Sequence, residues 1–184
     1  MNLNYSLSKI AQITNGVVKG DGEKEVQSII IDSRSPKTGL NTLFIALKGN
    51  KTNGHEYCES FVKNGGQLLL VSEEKNIPNV NQIIVDNTLI ALQQIATYHR
   101  QQFNIPVIGI TGSNGKTTVK EWLFHTLKKD FNICRSPKSY NSQLGVSLSV
   151  LELNSSHTLG IFEAGISKVG EMEKLEPIIK PTIG

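Results

Sequence analysis

The most explicit chemistry in this chain lies in Gly109 to Thr118, which read Gly-Ile-Thr-Gly-Ser-Asn-Gly-Lys-Thr-Thr. Glycines at 112 and 115 let successive backbone N–H groups turn inward. Lys116 adds a cation for the outer phosphates of a nucleotide, and the Thr117 hydroxyl can join a magnesium shell. The ligand this points to is a nucleoside triphosphate, cradled by Thr111, Gly112, Ser113, Asn114, Gly115, Lys116, Thr117 and Thr118. The pattern is a variant P-loop, because the common spacing wants glycine five residues before the second glycine and that position holds Ile110. The bland alternative is a Gly/Ser/Asn surface turn that happens to contain a lysine. The flanks oppose it, with the apolar run Ile105 to Ile110 entering and a helix-like stretch leaving.

Three further groups could do chemistry. Glu163 follows Leu159, Ile161 and Phe162 and precedes Ala164-Gly165, so it would leave a strand at its carboxyl end, where an acidic group helps orient a metal against terminal phosphates. Read alone, it is equally an ordinary solvated strand-end carboxylate. Asp32-Ser33-Arg34 offers a hydroxyl and a guanidinium on a turn, suited to phosphate oxygens or a uracil edge; read alone, a capped turn with an exposed arginine is the simpler account. Asn53-Gly54-His55 is a tight turn bearing an imidazole, and His99 lies on an apolar helix face where a packing histidine is commoner than a ligand.

These groups need elements to position them. Ser6 to Thr14 reads as a helix capped by Ser6 and ended by Gly16, and Val26 to Ile31 and Thr42 to Leu47 as strands separated by the turn-forming stretches Asp32 to Pro36 and Lys37 to Asn41. Glu56 to Lys63 suits a helix closed by Gly65-Gly66, Gln67 to Val71 and Gln82 to Val85 strands, and Thr88 to Phe103 a longer helix with Leu89, Leu92, Ile95, Ala96 and His99 on one face. Beyond a seam at Gln101 to Pro106, Lys116 to Asp130 forms an amphipathic helix with Val119, Trp122, Leu123, Thr126 and Leu127 on its apolar side. Phe131 to Cys134, Ser142 to Leu151, Thr158 to Phe162 and Gly170 to Lys180 continue as strand, helix, strand and helix. Such βαβ alternation predicts a parallel sheet with its ligand site at the carboxyl strand ends, where Thr111 and Glu163 both fall.

The remaining composition narrows the class. With 184 residues the chain can bury a core, and 38% hydrophobic and 19% charged residues are ordinary globular values. The formal charge of +3 comes from scattered basic residues without a Lys/Arg block, so nucleic-acid binding has little support. Cys58 and Cys134 read as reduced, buried thiols in a cytoplasmic protein, and no stretch approaches the roughly 18 apolar residues of a membrane span. There is no internal repeat and no low-complexity tract.

Taken together, Asp32-Ser33-Arg34, Leu43-Phe44-Ile45-Ala46-Leu47-Lys48-Gly49, Gly54-His55 and Thr111 to Glu121 resemble the Mur ligase family. Asn141 with Leu144-Gly145-Val146-Ser147-Leu148, and Phe162-Glu163-Ala164-Gly165-Ile166 followed by Gly170-Glu171-Met172, extend the resemblance over essentially all 184 residues. It implies an α/β fold: a small amino-terminal α/β domain over residues 1–103 that binds the UDP-muramoyl peptide, then, over 104–184, the first part of a P-loop, mostly parallel-sheet ATP-binding domain. It implies an ATP- and Mg2+-dependent amide-bond ligase of peptidoglycan precursor synthesis, whose substrates are UDP-N-acetylmuramoyl-tripeptide and D-alanyl-D-alanine. Carried over by residue, Lys116 grips the β and γ phosphates, Thr117 and Glu163 hold magnesium, Ser33 and Arg34 meet the UDP end, and Asn141 lies near the reacting γ-phosphate and carboxylate.

The sequence departs from the family pattern at Asn53, where aspartate is usual, at Tyr140, which replaces the first of two adjacent asparagines, and at Ser167-Lys168, which replaces Asn-His. Mur ligases have three domains, so the expectation is an amino-terminal piece, inactive alone, of an enzyme that is monomeric, cytoplasmic and not inserted in a membrane. A sibling ligase that adds diaminopimelate or lysine, a non-catalytic UDP-sugar binding module, and part of a fusion with an alanine racemase stay open as alternatives.

Overall fold

The first helix shows how locally the elements are specified. Ser6 sits in extended backbone and its hydroxyl accepts from the Lys9 N–H, capping a helix over Leu7–Thr14 whose buried residues are Leu7, Ile10, Ala11 and Thr14. Asn15, at φ 51°, takes the left-handed conformation that ends it. The expected stop at Gly16 is therefore one residue late, because asparagine tolerates that conformation as well as supplying the cap. The computed structural model describes residues 3–35, 38–49, 52–166 and 168–184. Pro36 and Lys37 of the expected turns, and Ser167, lie outside the described residues.

The residues form two compact units, Met1–Ile95 and Ala96–Gly184. The first contains β1 (Tyr5–Ser6), α1 (Leu7–Thr14), β2 (Val17–Lys19), β3 (Glu25–Val26), β4 (Ser28–Ile30), β5 (Thr42–Ile45), a short 3-10 turn (Gly54–Tyr57), α2 (Cys58–Lys63), β6 (Leu68–Val71) and β7 (Asn81–Ile84), followed by α3 (Thr88–Gln101), within which the division falls. The strand order is β2-β7-β6-β5-β4. β4 to β7 run parallel and β2 antiparallel at one edge, while β1 and β3 make a separate antiparallel pair. β5 and β6 are buried along their whole lengths, which is why they read as continuous apolar runs, not alternating ones. Phe44 stacks on Phe61 with ring centroids 5.2 Å apart, and Ile30, Ala46, Cys58, Leu69 and Val71 complete that core. The short strands β1 and β2 have no counterpart in the sequence reading, since two or three residues carry too little periodicity.

The second unit continues with β8 (Val107–Ile110), α4 (Lys116–Leu127), β9 (Ile133–Arg135), α5 (Gln143–Val150), β10 (Leu159–Glu163) and α6 (Glu171–Ile179). Its sheet has the order β8-β10-β9, all parallel, as the βαβ alternation predicts. Ile183 adds a parallel bridge to Ile108. Because side chains alternate across a strand, Leu159, Ile161 and Glu163 of β10 share one face. That face is α4's: Leu123 and Leu127 pack against Ile110, Leu159 and Ile161.

The apolar side expected for α4 is borne out only in part. Val119 and Trp122 are exposed, Trp122 by 69%, and the fully buried residue of the helix is Lys120. Leu123 and Leu127 of the expected apolar side do pack on the sheet and Lys120 joins them, whereas Val119, Trp122 and Thr126, one residue out of step, are exposed.

His99 is the packing histidine its apolar face suggests. It is buried, its Nε2 donates to the Leu153 carbonyl at 2.9 Å, and its ring meets Phe103 edge-on. Burial pushes its pKa below the ordinary histidine value. Beside it the buried Arg100 donates to the carbonyls of Phe103, Ile179 and Lys180, closing the carboxyl end of α6.

Candidate functional site

The loop between β8 and α4 has the geometry of a phosphate cradle. Gly112 and Gly115 stand at φ 137° and 77°, conformations that a side chain would strain, and Gly115 is the residue from which α4 starts. Lys116 is the first residue of the helix and its Nζ donates back across the loop to the Gly112 carbonyl at 2.6 Å. The first turn of α4 holds no acidic side chain of its own that would compete for the positive end of the helix dipole. Thr111, Gly112, Ser113, Asn114, Gly115 and Thr118 are all exposed, and Lys116 and Thr117 half-buried, so the loop is open to solvent.

Glu163 joins this loop through the sheet register. It pairs with Ile110, so the carboxyl end of β10 lies beside the residue that enters the loop. Its side chain is fully buried on the α4 face, where Oε2 accepts from the Thr117 hydroxyl at 3.0 Å. Oε1 lies 2.8 Å from the Lys120 ammonium, close enough for an ion pair but out of line for a hydrogen bond, so this oxygen has charge compensation without a directed donor. A solvated strand-end carboxylate would be neither buried nor paired; Glu163 is both.

Lys120 is the residue the sequence reading missed. Its side chain is inaccessible, it donates to the carbonyls of Ser136 (2.8 Å) and Lys138, and its ion-pair partners are Glu163 and, at 3.5 Å, Glu121. Ser136 ties the same knot from the other side, its hydroxyl accepting from the Glu163 N–H at 3.2 Å. On the surface of α4, Glu121 pairs with Arg135, whose guanidinium stacks over Phe124.

Asn141 also reaches the loop. With Lys116 it lines a cavity of about 280 Å3 completed by Ser142, Gln143, Gly165, Ile166 and Glu171. Its carbonyl accepts from the Gly165 N–H at 2.8 Å, which holds the start of α5 against the segment leaving β10. Ser142 caps α5 through Gly145 N–H. The lining offers a cation, a carboxylate, amides and a hydroxyl, a set that suits a polar, anionic ligand. Ser142, Gln143 and Glu171 carried no signal of their own in sequence.

Ser33 and Arg34 belong to the other unit. Ser33 is buried, whereas Arg34 is exposed and held by Asp32 in a two-pronged pair, Nε to Oδ1 at 2.9 Å and Nη2 to Oδ2 at 2.8 Å. The Arg34 side-chain hydrogen bonds, helped by its backbone N–H, bring the Asp32 carboxyl down to about 2. His55 is a satisfied core group: its Nε2 accepts from Ser72 N–H at 2.9 Å, so Nδ1 carries the proton and donates to Asn53 Oδ1 at 2.9 Å. Asn53, where the family pattern has aspartate, thus supplies the same acceptor. Both cysteines are buried and free, their thiols pushed up by burial to about 11 for Cys58 and about 12 for Cys134, which leaves them inert.

Among the described residues no helix is long and apolar enough to cross a membrane, and no group of three or more His, Cys, Asp or Glu could hold a metal.

Comparison with known proteins bears directly on this site. Residues 25–111 match the model described as Mur ligase family, catalytic domain, and residues 110–184 that of the Mur ligase middle domain. The UDP-N-acetylmuramoyl-tripeptide–D-alanyl-D-alanine ligase of Buchnera aphidicola subsp. Acyrthosiphon pisum is 38% identical over 182 residues, 98% of this chain and 39% of the relative. The enzyme of the same name from Haemophilus influenzae is 33% identical over 97% of this chain and 40% of its own length. A crystal structure of MurF from Acinetobacter baumannii superposes with a TM-score of 0.91 at 30% identity, covering 97% of this chain and 40% of that one. MurF ligase from Thermotoga maritima in complex with ADP gives 0.75 at 26% identity, covering 84% of this chain and 35% of that one. The chain thus spans about 40% of the length of the curated relatives it matches.

Proposed function

Because the chain belongs to the Mur ligase family, we propose that it supplies the nucleotide-handling part of an ATP-dependent ligase that joins D-alanyl-D-alanine to UDP-N-acetylmuramoyl-tripeptide. The observation that carries this reading is the convergence, at the carboxyl ends of β8 and β10, of the Gly112 to Thr118 loop, a buried acidic side chain and a polar cavity. The relatives' shared name supplies the two substrates. In this reading residues 1–103 form the domain for the UDP-muramoyl peptide, with Ser33 and Arg34 at its UDP end, and residues 104–184 begin the ATP-binding domain. The seam at 103 follows the end of α3, which keeps that helix whole.

The chemistry has two steps. A carboxylate oxygen of the tripeptide attacks the γ-phosphorus of ATP, the bond to the bridging oxygen breaks, and ADP leaves with that electron pair. The amine nitrogen of D-alanyl-D-alanine then attacks the acyl carbon of the acyl phosphate, inorganic phosphate departs, and the nitrogen gives up its proton. Two anions must approach in the first step, so neutralising charge and aligning the groups are the main tasks. Lys116 leaves the Gly112 carbonyl for the β and γ phosphates, the loop N–H groups and the α4 dipole bind the same oxygens, and Asn141, facing Lys116 across the cavity, orients the carboxylate.

The residues also fit magnesium. Thr117 and Glu163 present a hydroxyl and a buried carboxylate 3.0 Å apart beside the phosphate loop, the hard oxygen donors that ion prefers. Bound there, it would add positive charge against the terminal phosphates. ATP and a nucleotide-sugar substrate place the work in the cytoplasm, where inert reduced thiols such as Cys58 and Cys134 are at home. The whole enzyme acts as a monomer on small molecules, without nucleic acid or membrane insertion.

Calorimetric titration of the chain with magnesium-ATP and, separately, with UDP-muramoyl tripeptide tests the reading. Lys116→Ala should weaken ATP binding by roughly 10- to 150-fold, the loss of one hydrogen bond to a charged group. Arg34→Ala should weaken only the UDP ligand. ATP affinity that survives Lys116→Ala unchanged refutes the role given to the loop.

A further inference from the structure

We propose that Lys120, which enters no step of the reaction, is a positioning residue that holds the Glu163 carboxylate and determines which of its oxygens faces the phosphate loop. The proposal rests on the functional reading above and extends it to a side chain outside the loop.

Four observations lead there. First, Lys120 is the one lysine among the fully buried large side chains of the described residues, in the middle of a helix otherwise lined by exposed or half-buried groups. A buried ammonium is costly unless its donors are satisfied and its charge paired, so this position is not an accident of amphipathic patterning. Second, the ammonium is fixed independently of Glu163: two of its three donors go to the backbone carbonyls of Ser136 and Lys138. An anchored cation can orient a carboxylate; one held only by that carboxylate could not. Third, the two oxygens of Glu163 are treated differently. Oε1 is drawn to Lys120 at 2.8 Å, which leaves Oε2 turned to Thr117 at 3.0 Å and thus to the loop. Fourth, Ser136 takes part on both sides, its carbonyl on the Lys120 ammonium and its hydroxyl on the Glu163 N–H, so the strand end and the ammonium share one backbone frame.

The alternative is that Lys120 only balances a buried charge for the fold. The two roles part at metal binding. A purely structural lysine would, if anything, repel a divalent cation held by the neighbouring carboxylate, so its removal should leave metal affinity intact or raise it. A positioning lysine makes that affinity depend on it, because without the cation the carboxylate is free to swing away from Thr117.

The test uses Lys120→Met, which keeps the length and apolar stem while removing the charge, with Glu163→Gln and the double variant. Folding is checked by circular dichroism, and ATP affinity is measured with magnesium and with a chelator. In the unaltered chain magnesium should tighten ATP binding by roughly 5- to 150-fold, the usual range for coupled ligands. Lys120→Met should reduce this gain to that of Glu163→Gln, and the double variant should be no worse than either, while chelator affinity stays the same in all four. A folded Lys120→Met protein that keeps the gain, or exceeds it, overturns the proposal and leaves the functional reading standing. No gain in the unaltered chain overturns both. Should Lys120→Met fail to fold, nitrogen-15 spectroscopy of lysine ammonium groups in otherwise unaltered protein decides. Magnesium with ATP must shift the Lys120 signal, and must not do so in Glu163→Gln; a signal that ignores the metal overturns the proposal.

Discussion

Replacing Thr117 by valine removes a hydroxyl while keeping the shape of the side chain, and the structure sets what that should cost. The hydroxyl supplies the one hydrogen bond described for the Glu163 side chain, at 3.0 Å to Oε2, since Oε1 has only the ion pair with Lys120. Glu163 is fully buried, so water cannot replace the lost donor. A hydrogen bond to a charged group contributes about 1.5 to 3 kcal/mol, and Thr117 is only half-buried, so the added methyl of valine returns little; a net loss of about 2 kcal/mol follows. For a chain of this size that is a fall in Tm of roughly 4 to 8 °C. Thr117→Ser keeps the donor and should lie within about 0.5 kcal/mol of the unaltered protein. Differential scanning calorimetry on the three proteins measures both numbers. If Thr117→Val and Thr117→Ser are equally stable, the hydroxyl is not satisfying a buried carboxylate, and the account of Glu163 as a poised acidic ligand fails with it.

Two further outcomes follow from titrating groups. Arg34→Ala should return the Asp32 carboxyl from about 2 toward its ordinary value near 3.8, as read by carbon-13 chemical shift against pH; both side chains are exposed, so stability should barely change. A carboxyl that still titrates near 2 in the variant assigns its shift to the backbone instead. His99 and His55 are held neutral by burial, with folded pKa values below 6.5, so below that pH the unfolded chain binds more protons than the folded one. Stability should therefore be fully present above about pH 6.5 and fall as pH drops through the histidine range, and His99→Gln should flatten that fall in urea titrations. An unchanged slope in His99→Gln removes His99 from the cause.

That β8, β9 and β10 run parallel was legible because their short runs are separated from one another by helical patterns, and the crossover such a pattern implies joins parallel strands; that β10 lies between the other two was not. The cap at Ser6 was legible because the interaction spans three residues of the same chain. The last residue of α1, Thr14, was legible, but its stop was assigned to Gly16 where Asn15 provides it, because asparagine and glycine compete for the same backbone conformation and only the fold chooses between them. Arg34 illustrates the reverse difficulty: its presence on a turn is plain in sequence, but nothing there shows that Asp32 already occupies its guanidinium.

By itself the sequence determined the phosphate loop, since that chemistry is written in ten consecutive residues whose backbone conformation glycine permits, and it determined that Glu163 would sit at a strand end. Which face of α4 meets the sheet was decided only by tertiary structure. Leu123 and Leu127 were legible as apolar, but two stripes one residue apart, Val119-Trp122-Thr126 and Lys120-Leu123-Leu127, obey the same helical period, and hydrophobicity gives no reason to bury the lysine of the second in place of the valine of the first. The second is buried because the lysine meets Glu163 and the backbone of Ser136 and Lys138. A charge is cheap to bury only where its partners already wait, and those partners lie on other elements, beyond the reach of any local pattern.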